Sequence, residues 1–199
     1  MERVSRCDLL CPYGHPGNTL RIQAMINQLP SQSFAQTQTV HPLNAITYLN
    51  STLGMSFVCF QGSRSVLGNC FRAPFPLDNQ VWPSVQHYFH HFKAVMFGDH
   101  ESALTIRSAT SSTVAKQLGR RVKNFDHVQW ELVSTEVMTR AVYHKFVHDT
   151  ACRASLLSTN DSVIVECGLF NQESADPRSW RSENKLGKIL TLVRDHLRR

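Results

Sequence analysis

Trp82-Pro83-Ser84-Val85-Gln86-His87-Tyr88-Phe89 carries the clearest start signal in this chain. Proline is favoured in the first turn of a helix, because its missing N–H has no intrahelical partner to lose there. The pattern after Pro83 predicts a helix to about Phe97. Upstream, Pro74 to Val81 is extended and turn-rich, and Ser56-Phe57-Val58-Cys59-Phe60 is an apolar run of strand length. Downstream, Ser102–Ser108 is a second helical pattern, and Ser112 to Gly119 starts at a capping serine and closes on glycine. Val128 to Val147 is the longest helical pattern, with Trp130, Val133, Val137, Ala141 and Phe146 near one face. Ala151–Leu157 is another short helix. Ser162-Val163-Ile164-Val165-Glu166-Cys167 is the best strand, bounded by Asn160-Asp161 and Gly168. Asn184 to Leu197 sets Leu186, Ile189, Leu190, Val193 and Leu197 on one stripe. Residues 56–199 therefore read as one compact α+β domain, mainly helical with short strands.

Residues 1–55 differ. They are rich in Gln, Asn, Ser, Thr and Pro, and contain no Lys. Leu20 to Leu29 has apolar positions at helical spacing and stops at Pro30; Ser31 to Thr39 is a polar linker. This segment reads as an N-terminal extension or docking arm, ordering on a neighbouring protein in a larger assembly.

Composition removes several classes. Hydrophobic residues are 42% of the 199 and charged residues 18%, which excludes wholesale disorder. No apolar run approaches the roughly 18–20 residues that span a bilayer, so no membrane role is expected. Met1 to Arg6 leads into no apolar segment, and an intracellular, cytoplasmic chain with reduced thiols is expected. The net charge of +6 suits an anionic partner. Arg120-Arg121 with Lys123, and Arg194 to Arg199, are basic clusters that suit either a solvated surface or phosphate contacts, including those of a nucleic acid backbone. His87 and His91 share a helix face, but no third ligand stands at a recognised zinc spacing; Cys7, Cys11 and His15 are spaced by four, but Pro12, Pro16 and the glycines oppose a helix there. No metal and no cofactor are expected.

The order of these elements, and the residues at their joints, resembles the NADAR family, also called YbiA-like. The matching pieces are Trp82 to Phe89 with Lys93; Ala115-Lys116-Gln117-Leu118-Gly119-Arg120; Trp130-Glu131-Leu132-Val133 with Val137-Met138; and Lys145-Phe146. Leu156-Leu157-Ser158-Thr159 before the strand ending Val165-Glu166, and Asn184-Lys185-Leu186-Gly187 with Leu190 and Val193-Arg194, complete the set. It runs from Phe57 to Leu197. The resemblance implies N-glycosidase chemistry on ribose, acting on riboflavin-pathway intermediates or on ADP-ribosylated guanine. Such a bond breaks through an oxocarbenium-like state, which a carboxylate stabilises while another activates the nucleophile.

The sequence departs from the family at both acids. The usual Glu after Trp-Pro-x-x is Gln86, and the usual Asp five residues beyond the Val-Glu strand is Asn171. An amide keeps the shape and hydrogen bonds of its acid but carries no charge and takes no proton at pH 7. The resemblance therefore implies a ligand pocket kept and a catalyst eroded, binding a ribosyl nucleotide or an ADP-ribosylated base. An active enzyme would use Lys93 and Glu166 instead, and a structural role in a ribonucleoprotein or viral assembly is the third reading. Gln86, Lys93, Glu166 and Asn171 are the candidate catalytic positions. His87, Tyr88, Arg120, Trp130 and Asn184 are the candidate ligand contacts, although Tyr88 and Trp130 also suit a core and Asn184 an N-cap.

Overall fold

The computed structural model describes residues 43–50, 54–167 and 183–199. Asn171 lies outside them. The described chain runs β1 (Ala45–Asn50), β2 (Met55–Phe60), β3 (Phe75–Leu77), β4 (Gln80–Trp82), α1 (Val85–Met96), α2 (His100–Arg107), α3 (Ser112–Gly119), α4 (His127–His148), α5 (Thr150–Leu157), β5 (Val163–Glu166) and α6 (Lys185–Leu197). It is a mainly helical α+β fold with short strands.

Three strands form one sheet in the order β1-β2-β5. β1 pairs antiparallel with β2, Ala45 opposite Phe60, and β2 pairs parallel with β5, Phe60 opposite Glu166. The first strand thus comes from within the segment read as an extension. Parallel pairing needs a long crossover, and the whole α1–α5 block supplies it. The carboxyl ends of β2 and β5 therefore emerge side by side.

β3 and β4 form a separate antiparallel hairpin, Leu77 opposite Gln80. The two-residue turn between them is Asp78-Asn79, with φ of 52° and 57°. A tight hairpin needs positive φ at both central residues, which Asn and Asp tolerate best after Gly. Sequence reading placed an extended, turn-rich approach here; three-residue strands with Pro76 inside gave no period-2 signal.

The helix starts are capped as their residues dictate. Asp99, Ser111, Asp126 and Asp149 each accept a hydrogen bond from a backbone N–H in the first turn that follows. The main core joins the inner face of the sheet (Val58, Phe60, Ile164) to the α6 stripe and the second half of α4. All five stripe residues of α6 are buried, each worth about 1.5–3 kcal/mol. α4 is buried nearly all round from Ala141 to Val147, with Lys145 in that stretch.

A second, small-residue cluster of Ala94, Ala103, Ile106, Ala115 and Val122 lets α1, α2 and α3 approach closely. Gly119 is part of the reason. A Cβ there would stand 2.2 Å from His90 Nδ1. No helix among the described residues is long and apolar enough to cross a membrane.

Candidate ligand site at the carboxyl ends of β2 and β5

The loop after β2 starts the site. Gly68 N–H bonds Ser65 O, and Phe71 N–H bonds Gly68 O, so residues 65–71 form successive turns. Lys145 of α4 reaches under this loop and donates to Val66 O at 2.6 Å and Gly68 O at 2.9 Å. Beyond those turns, Asn69 O accepts from Gln86 N–H at 3.1 Å, and Cys70 O accepts from Ser112 Oγ at 2.9 Å. The loop thus ties the first turns of α1 and α3 to the end of β2.

Gln86 lies in that first turn of α1, half-buried, and the turn contains no acid. One turn on, the same helix face presents His90. Burial, with the charges of Lys93, Lys116 and Arg120 adding to it, pushes the His90 pKa down to about 4. The ring is neutral at pH 7, and its buried Nδ1 has no hydrogen-bond partner. Lys116 acts electrostatically on Glu166 as well, across from α3. Glu166 reaches solvent at the end of β5, yet desolvation raises its carboxyl pKa and Lys116 only partly opposes this. Lys116 thus acts on both His90 of α1 and Glu166 at the end of β5, Arg120 acts on His90 as well, and Gln86 lies one turn before His90 on α1.

The remaining predicted contacts are placed elsewhere or already engaged. Lys93 is buried; its Nζ donates to Gly119 O at 2.9 Å and lies 3.7 Å from the centre of the Phe125 ring. Burial lowers its pKa. His87 Nε2 donates to Ala109 O at 3.1 Å, so its Nδ1 accepts from Ser84 Oγ at 2.8 Å, and burial holds the ring neutral by lowering its pKa. Tyr88 is buried with its hydroxyl donating to Asp78 at 2.9 Å and accepting from Arg140 at 3.2 Å. Trp130 is buried edge-to-face on Phe89 at 5.0 Å. His91 donates from Nδ1 to Ala103 O, so the His87–His91 pair is committed to backbone.

Asn184 corrects the expected N-cap. It precedes α6 with φ 49°, and its side chain makes no cap bond. Its Nδ2 donates to Ile164 O at 2.8 Å and its Oδ1 accepts from Glu166 N–H at 3.1 Å. The amide substitutes for a missing fourth strand along the edge of β5. That is why the residue is Asn: only a side-chain amide offers a donor and an acceptor at this spacing. Asn184 therefore holds Glu166 by its backbone.

A sequence model of the NADAR domain matches residues 55–198. The chain belongs to the NADAR family. Its NADAR region is 32% identical to the N-glycosidase YbiA of Escherichia coli K12 over 124 residues, which is 62% of this chain and 76% of that one. An N-glycosidase of Nostoc punctiforme is 30% identical over 122 residues, 61% of this chain and 78% of its own. The NMR structure of the E. coli protein YbiA superposes with a TM-score of 0.61 at 28% identity, covering 71% of this chain and 84% of that one. The NADAR fold expected from the sequence is the fold observed.

Sequence reasoning missed Lys145 and Lys116 as site-forming residues. Both stand inside matched motifs, but their partners lie far off in sequence: Lys145 is 77 and 79 residues from the carbonyls it binds. Burial lowers the Lys145 pKa to about 8. A lysine depressed in the folded state binds fewer protons than the unfolded chain between about pH 8 and its ordinary 10.5, so its contribution to stability rises with pH across that window. The neutral amine still has two N–H groups for two carbonyls. Lys145→Met removes this titration, takes the lysine donor from Val66 O and leaves Gly68 O with only the Phe71 N–H. It is expected to lose about 2–4 kcal/mol at pH 7 in urea denaturation, and to flatten the rise between pH 8 and 10. An unchanged pH profile in the variant would show that Lys145 does not titrate there.

Proposed function

We propose that this protein is a NADAR-type ligand-binding protein whose N-glycosidase site has lost its two acids. It holds a ribosyl N-glycoside of the ADP-ribose type beyond the β2 and β5 ends and turns it over slowly or not at all. The observation that carries this reading is the first turn of α1. Gln86 stands there, held through Asn69, at the position where the family resemblance puts a glutamate, and no acid replaces it in that turn. The exposed cations Lys116 and Arg120 suit the diphosphate of such a ligand.

One feature favours an active enzyme instead. Desolvation raises the Glu166 carboxyl pKa, the direction that general acid–base work favours in a carboxylate. Calorimetry with ADP-ribose, beside an assay of guanosine release from ADP-ribosylated guanosine, separates the two readings. Binding is expected for the unmodified chain and is expected to weaken about tenfold or more in Lys116→Glu, through loss of a charge-assisted phosphate contact. Robust guanosine release by the unmodified chain, abolished in Glu166→Gln, would establish the active reading.

A further inference from the structure

His90 is a buried side chain with a donor to give. It lies one turn after Gln86 on α1 and is 9% exposed. Its ring packs on α3 at Gly119, where a Cβ would stand 2.2 Å from Nδ1 and 2.3 Å from Cγ. Nδ1 is shut against that backbone and has no partner among the described residues. A buried N–H without an acceptor is tolerated less than an idle lone pair, so the proton of the neutral ring sits on Nε2. Nε2, on the far edge of the ring, is not closed off in this way, and none of the described residues takes a hydrogen bond from it. Two cations flank this contact. Lys116 and Arg120 stand one turn apart on α3, before and after Gly119, and both are exposed. Both act electrostatically on His90. The Gly119 carbonyl, which the last turn of α3 would otherwise turn toward an anion, is taken by Lys93 Nζ at 2.9 Å.

We propose that His90 is a third diphosphate contact beside Lys116 and Arg120, and that it takes up a proton when the diphosphate binds. This rests on the ADP-ribose-type reading above. In the free protein, burial first and then the charges of Lys93, Lys116, Arg120 and His87 hold the ring neutral, with its pKa at about 4. Of these, Lys93 and His87 belong to α1 itself, and Lys116 and Arg120 to the helix packed on it. A diphosphate lying between Lys116 and Arg120 cancels their repulsion and gives Nε2–H an acceptor. The bound ring therefore protonates more readily, its pKa moving back toward the ordinary 6.5. A site that gains a proton on binding binds more tightly as pH falls. Glu166 of β5, which feels Lys116, adds to this: as it becomes neutral at lower pH it repels an anion less. Variants at His90 separate the two contributions.

The test is calorimetry on the full chain with ADP-ribose, whose diphosphate is a diester and stays fully ionised between about pH 5 and about pH 7. Over that range the affinity of the unmodified chain is expected to rise about tenfold toward acid. The accompanying proton uptake is read from the heats in two buffers of different ionisation enthalpy. His90→Phe fills the same space without a donor or a proton, and is expected to bind at least about fivefold more weakly at neutral pH and to lose most of the rise. His90→Gln keeps a neutral donor that takes no proton. It is expected to bind more tightly than His90→Phe at neutral pH, yet to show the same flattened profile, which a merely structural role would not produce. A rise that persists undiminished in both variants assigns the proton to Glu166 and overturns the proposal. So does a flat profile in an unmodified chain that binds ADP-ribose. If the variants fail to fold, nitrogen NMR of the unmodified chain decides: a His90 ring that stays neutral at about pH 5 with ADP-ribose bound overturns the proposal, and a protonated ring upholds it. No binding of ADP-ribose at any pH would overturn the ADP-ribose-type reading itself, and this inference with it.

Discussion

Gln86→Glu combined with Asn171→Asp is expected to raise release of guanosine from ADP-ribosylated guanosine by about 10²-fold or more over the unmodified chain, since acid–base groups each contribute about 10²–10⁴. A carboxylate at 86 would sit in the first turn of α1, where the helix N-terminus favours negative charge. Lys116 acts on His90 one turn further along the same helix, and its positive charge would favour the ionised form. The transition state puts positive charge on the ribose ring, and a fixed carboxylate there stabilises it without reorganising water. The second carboxylate would hold or deprotonate the nucleophile. Because the two act on one reaction, the single variants are expected to gain less than the product of their effects. Binding of ADP-ribose should change far less than turnover, since an amide and an acid accept the same hydrogen bonds. No gain in any of the three variants, with ADP-ribose still bound, would show that position 86 is not the missing catalyst.

How much of this was legible in the sequence depended on whether a residue's partner was local. Helix α3 was read at its observed limits, although its cap is Ser111 just before them and Gly119 is its last helical residue, with Arg120 at the C-cap. The α6 stripe was legible because its spacing is a signal within one segment. β1 was hidden because the polar composition of the first 55 residues masked a six-residue strand that exists only by pairing with β2. Asn184 was read as a cap from its neighbours alone; the backbone it serves is 18 and 20 residues away. Lys93 follows Gln86 by seven residues and so shares its helix face, but the Gly119 carbonyl and the Phe125 ring draw it under α3. Buried lysines that bind backbone carbonyls leave no pattern in sequence, because any residue supplies a carbonyl.

Gly187→Ala is expected to be the most destabilising single-methyl change in the domain. Gly187 lies in the first turn of α6, where that helix crosses β5. An added Cβ would stand 2.1 Å from Ile164 O and 2.4 Å from both Asn184 side-chain atoms. Neither neighbour can give way cheaply. The Ile164 carbonyl is strand backbone, and the Asn184 amide is pinned by its bonds to Ile164 O and Glu166 N–H. Alanine has the better helix propensity by about 1 kcal/mol, which alone would stabilise α6. Overpacking against backbone costs about 3 kcal/mol or more and decides the sign. The net loss is therefore about 2 kcal/mol or more, a fall in Tm of roughly 4–8 °C for a domain of this size. Relief requires α6 to lift from β5, which would also loosen the Asn184 bond to the Glu166 backbone and blunt the site at the strand end. Calorimetric melting checks the first effect and ADP-ribose titration the second. A variant as stable as the unmodified chain would mean that α6 does not approach β5 this closely, and that Gly187 is not there to permit the contact.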